Sequence, residues 1–419
     1  MKVLLAAAFL LLLIIVLMVY QIIPQTIALF LLFITILGSL IYHDRKNVKL
    51  EGVVLIRRTK KGRDTINAMT QAHRRFWNAL YVLGVIVAVP MLFTSAGFLI
   101  NQGLGILSGS HEGGVKLLLP GPVANPVNAP GVFILPWWIW VIGIAAVIVP
   151  HELSHGIACR LDKIRIKSVG WILFLIIPGA FVEPDEAQLQ KAKRSTKMKV
   201  YAAGAFANIL MAVLISLILA LLFPTFFAPT GLAFQSLPGT PANQTGLHGV
   251  ITEINGMHIY TSDDLARSLA LLQPGDTVNV TTTNASIVVP AFWSLGPDLI
   301  FPKSVAIENG TEHTTSVVLA QHPERAGAYL GVVPLMLAVR PLVDLQLYES
   351  IVLIFIWIAI FSLGIGLVNL LPIKPLDGGL LFEEVVSHFT SHHKLIVQVV
   401  SAFMILVLLF NLVGPLVLQ

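Results

Sequence analysis

The stretch VIVPHELSHGIACR, residues 147–160, decides the reading, because it sets His151, Glu152 and His155 at the end of a run apolar enough to lie in lipid. Two histidines four residues apart project from one face of a helix about one turn apart, which is the spacing of a bidentate metal clamp. Glu152 follows the first of them, so its carboxylate stands beside a bound ion and can take a proton from water there. Ionisable groups inside a span are energetically unfavourable and usually functional, which argues against side chains that merely pack.

The rest of the chain fits a membrane setting. Of 419 residues, 56% are hydrophobic and 12% charged, and the mean hydropathy is +0.83, far above that of an ordinary soluble protein. A single cysteine, Cys159, excludes an internal disulfide framework and a Cys-rich zinc finger. Runs long enough to cross a core of about 30 Å lie near 3–20, 25–42, 79–100, 133–158, 200–223, 350–371 and 395–416, giving seven expected spans. The first lacks a clear cleavage site and reads as a retained helix rather than a signal peptide. Pro24 separates it from the second with almost no loop, as in a tight helical hairpin.

Charge sets the expected orientation. Residues 43–75 hold ten Lys/Arg against three acids, and residues 160–199 hold nine Lys/Arg, whereas 101–131 has only Lys116. Cytoplasmic loops carry the basic excess, so the N-terminus is expected inside. Trp137, Trp138 and Trp140 mark the outer interface, and His151 follows roughly 20 Å deeper at 1.5 Å per residue, in the inner half of the bilayer. SVGWILFLIIPGAF, residues 168–181, is too short to span and lies between two basic clusters. A β-rich re-entrant segment accounts for both facts, the alternative being a short eighth helix.

Residues 231–340 form the sizeable non-apolar region. Over 224–349 ten acids face four Lys/Arg, and N-x-[ST] sequons occur at Asn243, Asn279, Asn284 and Asn309. This region is expected outside.

A third metal ligand is needed. Asp377, in NLLPIKPLDGG, follows a span broken by Pro372 and Pro375 at a similar inner depth. The alternative is the group Glu183, Asp185 and Glu186, whose position at a charged loop end is explained by solvation. Asp377 is preferred.

HELSHG at 151–156, GAFAN at 204–208 and NLLPIKPLDGG at 369–379 resemble, in order, three signatures of the site-2 protease family of intramembrane zinc metalloproteases. The resemblance covers roughly residues 133–380. It implies one zinc ion per chain held by His151, His155 and Asp377, with Glu152 as general base. Supporting roles are implied for Asn208 and Asn369, towards a substrate backbone or developing oxyanion, and for Gly204 and Pro372. Ala205 stands where the family usually has proline. LPGTPANQTGLHGVITEINGMHIYTSDDLARSLALLQPGDTVNV, residues 237–280, resembles a PDZ domain, with a turn after Thr240-Pro241-Ala242, a hairpin at Asn255-Gly256 and a helix from about Ser262 to Leu272. Residues 283–320 are an atypical polar insertion. Such a domain either captures an extended peptide or filters substrates by size.

The expected fold is an α-helical polytopic membrane protein of about seven transmembrane helices, with one re-entrant β-rich segment and an inserted extracytoplasmic α/β PDZ-like domain. It divides into an N-terminal transmembrane hairpin (1–42), a basic cytoplasmic loop (43–78), the first half of a membrane protease core (79–230), the PDZ-like domain (231–340), and the second half with the C-terminal helix (341–419). Anchoring and packing are all that is expected of the first three spans and the basic loop. The expected function is cleavage of transmembrane segments in regulated intramembrane proteolysis. Partners are transmembrane protein substrates and membrane lipid, with no nucleic acid, and the setting is a plasma membrane. The competing readings are a membrane zinc protease of another type, using Glu183 or Glu186, and a transporter or receptor.

Overall fold

Lipid offers a backbone amide no partner, so long apolar runs fold as helices whose hydrogen bonds are all internal. The computed structural model describes residues 2–109, 115–123, 126–129, 131–174, 177–288, 304–323 and 326–417. By contacts it forms two units, residues 1–213 with 357–419 and residues 214–356.

The first unit carries the apolar helices: α1 (Lys2–Val19), α2 (Gln25–His43), α4 (Arg74–Leu107), α5 (Trp137–Leu161), α7 (Arg194–Phe226, shared with the second unit), α10 (Leu345–Asn369, likewise shared) and α12 (His393–Val417). Among the described residues six helices are long and apolar enough to cross a membrane, against the seven expected. The first run is helical too, but its apolar part, Leu5–Val19, is shorter. Apolar burial does not drive helices together in lipid, where close approach of small residues takes over. A Cβ at Gly143 would lie 2.6 Å from the Phe361 ring, and one at Gly84 would lie 2.9 Å from Phe206. These glycines let α5 approach α10 and α4 approach α7.

Short elements complete the unit: β1 (Val48–Glu51), β2 (Val54–Thr59), α3 (Lys61–Ala72), β3 (Leu117–Gly121), β4 (Val127–Ala129), β5 (Val132–Pro136), β6 (Ile166–Phe174), β7 (Ile177–Pro184), α6 (Glu186–Lys191) and α11 (Asp377–Val386). The segment 168–181 is strand on both sides of residues 175 and 176, which lie outside the described residues, so the short eighth helix is excluded. Its hairpin joins a four-stranded sheet of order β1-β2-β6-β7, with Val54 opposite Phe174 and Thr59 opposite Val169. The basic loop therefore does more than anchor: it supplies half of that sheet. At Gly170 a Cβ would strike the Arg57 carbonyl, so glycine is needed where β6 meets β2. Residue Ile66 of α3 fills the notch left by Gly156 on α5, where a Cβ would lie 2.8 Å from it.

In the second unit β8 (Phe227–Ser236), β9 (Val250–Ile254), β10 (Met257–His258), β11 (Thr277–Val288), β12 (Ser304–Val318) and β15 (Val332–Pro341) form a sheet of order β10-β9-β11-β12-β15-β8. Strand β8 also pairs with β9, which closes the strands on themselves. Helices α8 (Pro241–Gln244) and α9 (Ser262–Ala270) and the pair β13 (Ala320–Gln321) and β14 (Ala328–Tyr329) complete it. Its core holds Leu232, Phe234, Ile251, Ile254, Leu265, Val278 and Val317. The turn at Asn255-Gly256, expected from the sequence, joins β9 to β10 with both residues at positive φ, 49° and 79°. Helix α9 ends two residues before the expected Leu272. The polar insertion is the paired ends of β11 and β12, and its residues 289–303 lie outside the described residues.

Thr261 and Asp264 cap α9 reciprocally. The Thr261 hydroxyl first, then the Thr261 and Tyr260 amides and Arg267, hold the Asp264 carboxyl below its ordinary pKa against a smaller opposing effect of desolvation. A depressed pKa contributes stability present above the unfolded value, 3.8, and lost as pH falls through the folded one. Asp264→Ala is therefore expected to speed hydrogen exchange in α9 of the full chain at neutral pH. The difference from wild type should shrink below about pH 4.

Candidate metal centre

Helix α5 sets the two imidazoles one turn apart, and three ligand atoms converge. His151 Nε2 lies 3.2 Å from His155 Nε2, and Asp377 Oδ2 lies 3.3 Å from the first and 3.2 Å from the second. A tetrahedral zinc ion with bonds of about 2.0–2.1 Å would hold its ligand atoms about 3.3 Å apart, so the triangle fits such an ion. Asp377 Oδ2 is buried and lacks hydrogen-bond geometry to any described donor, as expected of an atom directed at a shared point rather than at one ring. Among the described residues this is the one group of three or more His, Cys, Asp or Glu side chains that could hold a metal ion.

Asp377 is the first residue of α11, and its approach depends on the loop before it. A Cβ at Gly378 would run into the Leu370 backbone, and one at Gly379 would lie 2.5 Å from the Ile373 carbonyl, so the two glycines of LDGG let α11 fold back on that loop. Ser401 of α12 fixes the loop from outside: its hydroxyl donates to the buried Pro372 carbonyl at 3.1 Å and accepts from the Lys374 amide at 3.2 Å. Lys374 pairs with Glu383 and Lys197 with Glu384, the latter tying α11 to α7 at 3.0 Å.

The far side of each ring faces α7. His155 Nδ1 lies 2.7 Å from the Val200 carbonyl, and His151 Nδ1 lies 3.1 Å from the Asn208 amide. Between them, at the same four-residue spacing, Gly204 leaves the room that the two Nε2 atoms occupy. Asn208 is wholly buried, and its amide lies against the back of the His151 ring. Asn369, at the end of α10, is half-buried.

Glu152 accepts a hydrogen bond from the Val182 amide of β7 at 3.0 Å, which fixes its carboxylate against the edge strand of the sheet. The rival acids are engaged elsewhere. Glu183 accepts from the Ser168 hydroxyl at 2.5 Å, Asp185 caps α6 through the Gln188 amide, and Glu186 accepts from Gln190. None joins the histidines. Val200, Val182 and Ser401 were not singled out from the sequence. A backbone carbonyl or amide has no side-chain signature, and the only signal from Ser401 is a hydroxyl inside an apolar run.

The model of Peptidase family M50 matches residues 139–411, a range that contains every residue of this centre. The chain is 27% identical over 255 residues to an uncharacterized protein of Methanocaldococcus jannaschii, covering 60% of this chain and 66%, just under two thirds, of that one. It is 25% identical over 291 residues to a Clostridium perfringens protein named "putative zinc metalloprotease", covering 59% of this chain and 86% of that one.

Proposed function

Because the chain belongs to peptidase family M50, the site-2 protease family, we propose that it is an intramembrane zinc endopeptidase that cuts transmembrane segments of membrane-anchored proteins. The observation that carries this reading is the triangle of His151, His155 and Asp377 on helices of an apolar unit. When bound, zinc supplies Lewis-acid chemistry, acidifying a water molecule and polarising the scissile carbonyl.

The chain's own residues do the rest. His151 and His155, with Asp377, hold the ion. Glu152 takes the proton of the attacking water and hands it to the leaving amine. A substrate helix hides its carbonyls in hydrogen bonds and has to be unwound first. Pro178 and Gly179 lie in β7, at the edge of its sheet, and that edge holds the substrate extended. Asn369 is a polar group for the opened backbone.

The basic loop 43–78 faces the cytoplasm and residues 231–340 lie outside, a reading supported by the basic excess of the one and the acids and sequons of the other. The PDZ-like domain restricts which substrates reach the membrane. The inner depth of His151 frees the product into the cytosol, in regulated proteolysis at a plasma membrane.

Purified protein in detergent should contain one zinc per chain and cleave a single-span substrate. Chelation should abolish cleavage and added zinc restore it. Cleavage that survives removal of all metal would refute the reading, and a chain that never takes up zinc would point to a transporter or receptor.

A further inference from the structure

The two imidazoles of the proposed centre are held from behind by groups that differ in kind. The Val200 carbonyl, 2.7 Å from His155 Nδ1, can only accept. His155 therefore carries its proton on Nδ1 and keeps the Nε2 lone pair free. His151 Nδ1 faces the amide nitrogen of Asn208 at 3.1 Å, and an amide nitrogen can only donate. In that placement the His151 proton sits on Nε2, at the point where the three ligand atoms converge, and a cation is shut out. The other end of the same amide, Asn208 Oδ1, is buried and has no hydrogen-bond partner among the described residues. A half-turn about χ2 exchanges the amide oxygen and nitrogen with little change of shape, so hydrogen bonding alone decides between the two placements.

We propose that Asn208 is a positioning residue for the metal: with a cation in place, its Oδ1 accepts from His151 Nδ1–H and holds that ring in the tautomer whose Nε2 is free to ligate. This inference rests on the metal-site reading above. Helix α7 then serves both rings by two means, a backbone carbonyl one turn before Gly204 and a side-chain carbonyl one turn after it. Asn208 is wholly buried, so water is not at hand to replace the contact. Its amide is the adjustable member of the pair, because a half-turn exchanges its donor for its acceptor. Partners of this kind, behind a ligating histidine, typically govern metal affinity by roughly 10–100-fold.

Two substitutions separate this role from simple packing. Asn208→Leu keeps the volume but neither donates nor accepts. Asn208→Asp accepts but, ionised, does not donate. Zinc affinity of each full-length variant in detergent, read by competition with a chelating dye, should fall roughly 10–100-fold for Leu and stay at the wild-type level for Asp. Nitrogen chemical shifts of the histidines in zinc-loaded wild type should place the His151 proton on Nδ1. An Asp variant as weak as the Leu variant, an unaffected Leu variant, or a proton on Nε2 would each overturn the proposal. If the Leu variant does not fold, the Asp variant and the wild-type shifts still decide. A wild type that binds no zinc would bring down the metal reading and this inference with it. Zinc bound normally by wild type but lost by Asn208→Asp would bring down this inference alone.

Discussion

Gly204→Ala is expected to leave the chain folded and to weaken zinc binding roughly 10–100-fold or more. A Cβ at this position would overlap His155 Nε2 and lie 2.5 Å from His151 Nε2 and 2.6 Å from His151 Cε1. Neither ring can retreat freely, because the Val200 carbonyl and the Asn208 amide stand behind them. Overpacking of this kind disfavours the native arrangement by about 1–3 kcal/mol, which corresponds to the stated range at about 1.4 kcal/mol per tenfold. Helix propensity pushes the other way, since alanine is better than glycine in a helix by about 1 kcal/mol. A loss of zinc would therefore be traced to the site and not to α7. Gly97→Ala and Gly364→Ala are the controls, because a Cβ at either meets nothing within 4 Å. Zinc content after dialysis against a chelator should fall for Gly204→Ala and stay at the wild-type level for the controls. An alanine variant that retains zinc as wild type does would show that the rings are not confined by α7.

How much of this was legible in the sequence depended on where the information resides. The clamp of His151 and His155 was legible because a four-residue spacing maps directly onto one face of a helix. Asp377 was legible because Pro372 and Pro375 break an apolar span next to a carboxylate, and the structure brings that carboxylate to the histidines. The choice against Glu183 rested on solvation in the sequence. In the structure it rests on the engagement of Glu183 by Ser168. The hairpin of β1 and β2 did carry a local signal, β-branched Val53, Val54 and Ile56 after a turn at Gly52 with φ of 62°. The same residues lie in a dense basic run whose charge speaks to topology and not to pairing. The link from β2 to β6 spans more than a hundred residues of chain and has no local signature. The work of Asn208 was hidden for a different reason. A buried amide in a helix looks the same in sequence whether it faces a substrate or the back of an imidazole. The Val200 carbonyl belongs to every residue alike, so only the fold identifies it as a partner of His155.

Removing the Glu152 carboxylate while keeping its shape should have the largest effect on cleavage. Glutamine can still accept from the Val182 amide through its side-chain oxygen, so the contact that holds position 152 against β7 survives. What is lost is the ability to take a proton, a contribution of roughly 10²–10⁴-fold for a general base. The decisive measurement follows zinc content and product masses together for wild type and Glu152→Gln, acting on a single-span substrate in detergent. Equal zinc is expected in both proteins, with a wild-type cut inside the apolar span nearer its cytoplasmic end and a Glu152→Gln rate lower by roughly 10²–10⁴-fold. Wild-type cleavage by a fully zinc-loaded Glu152→Gln, or cuts confined to residues outside the span, would contradict the proposed mechanism.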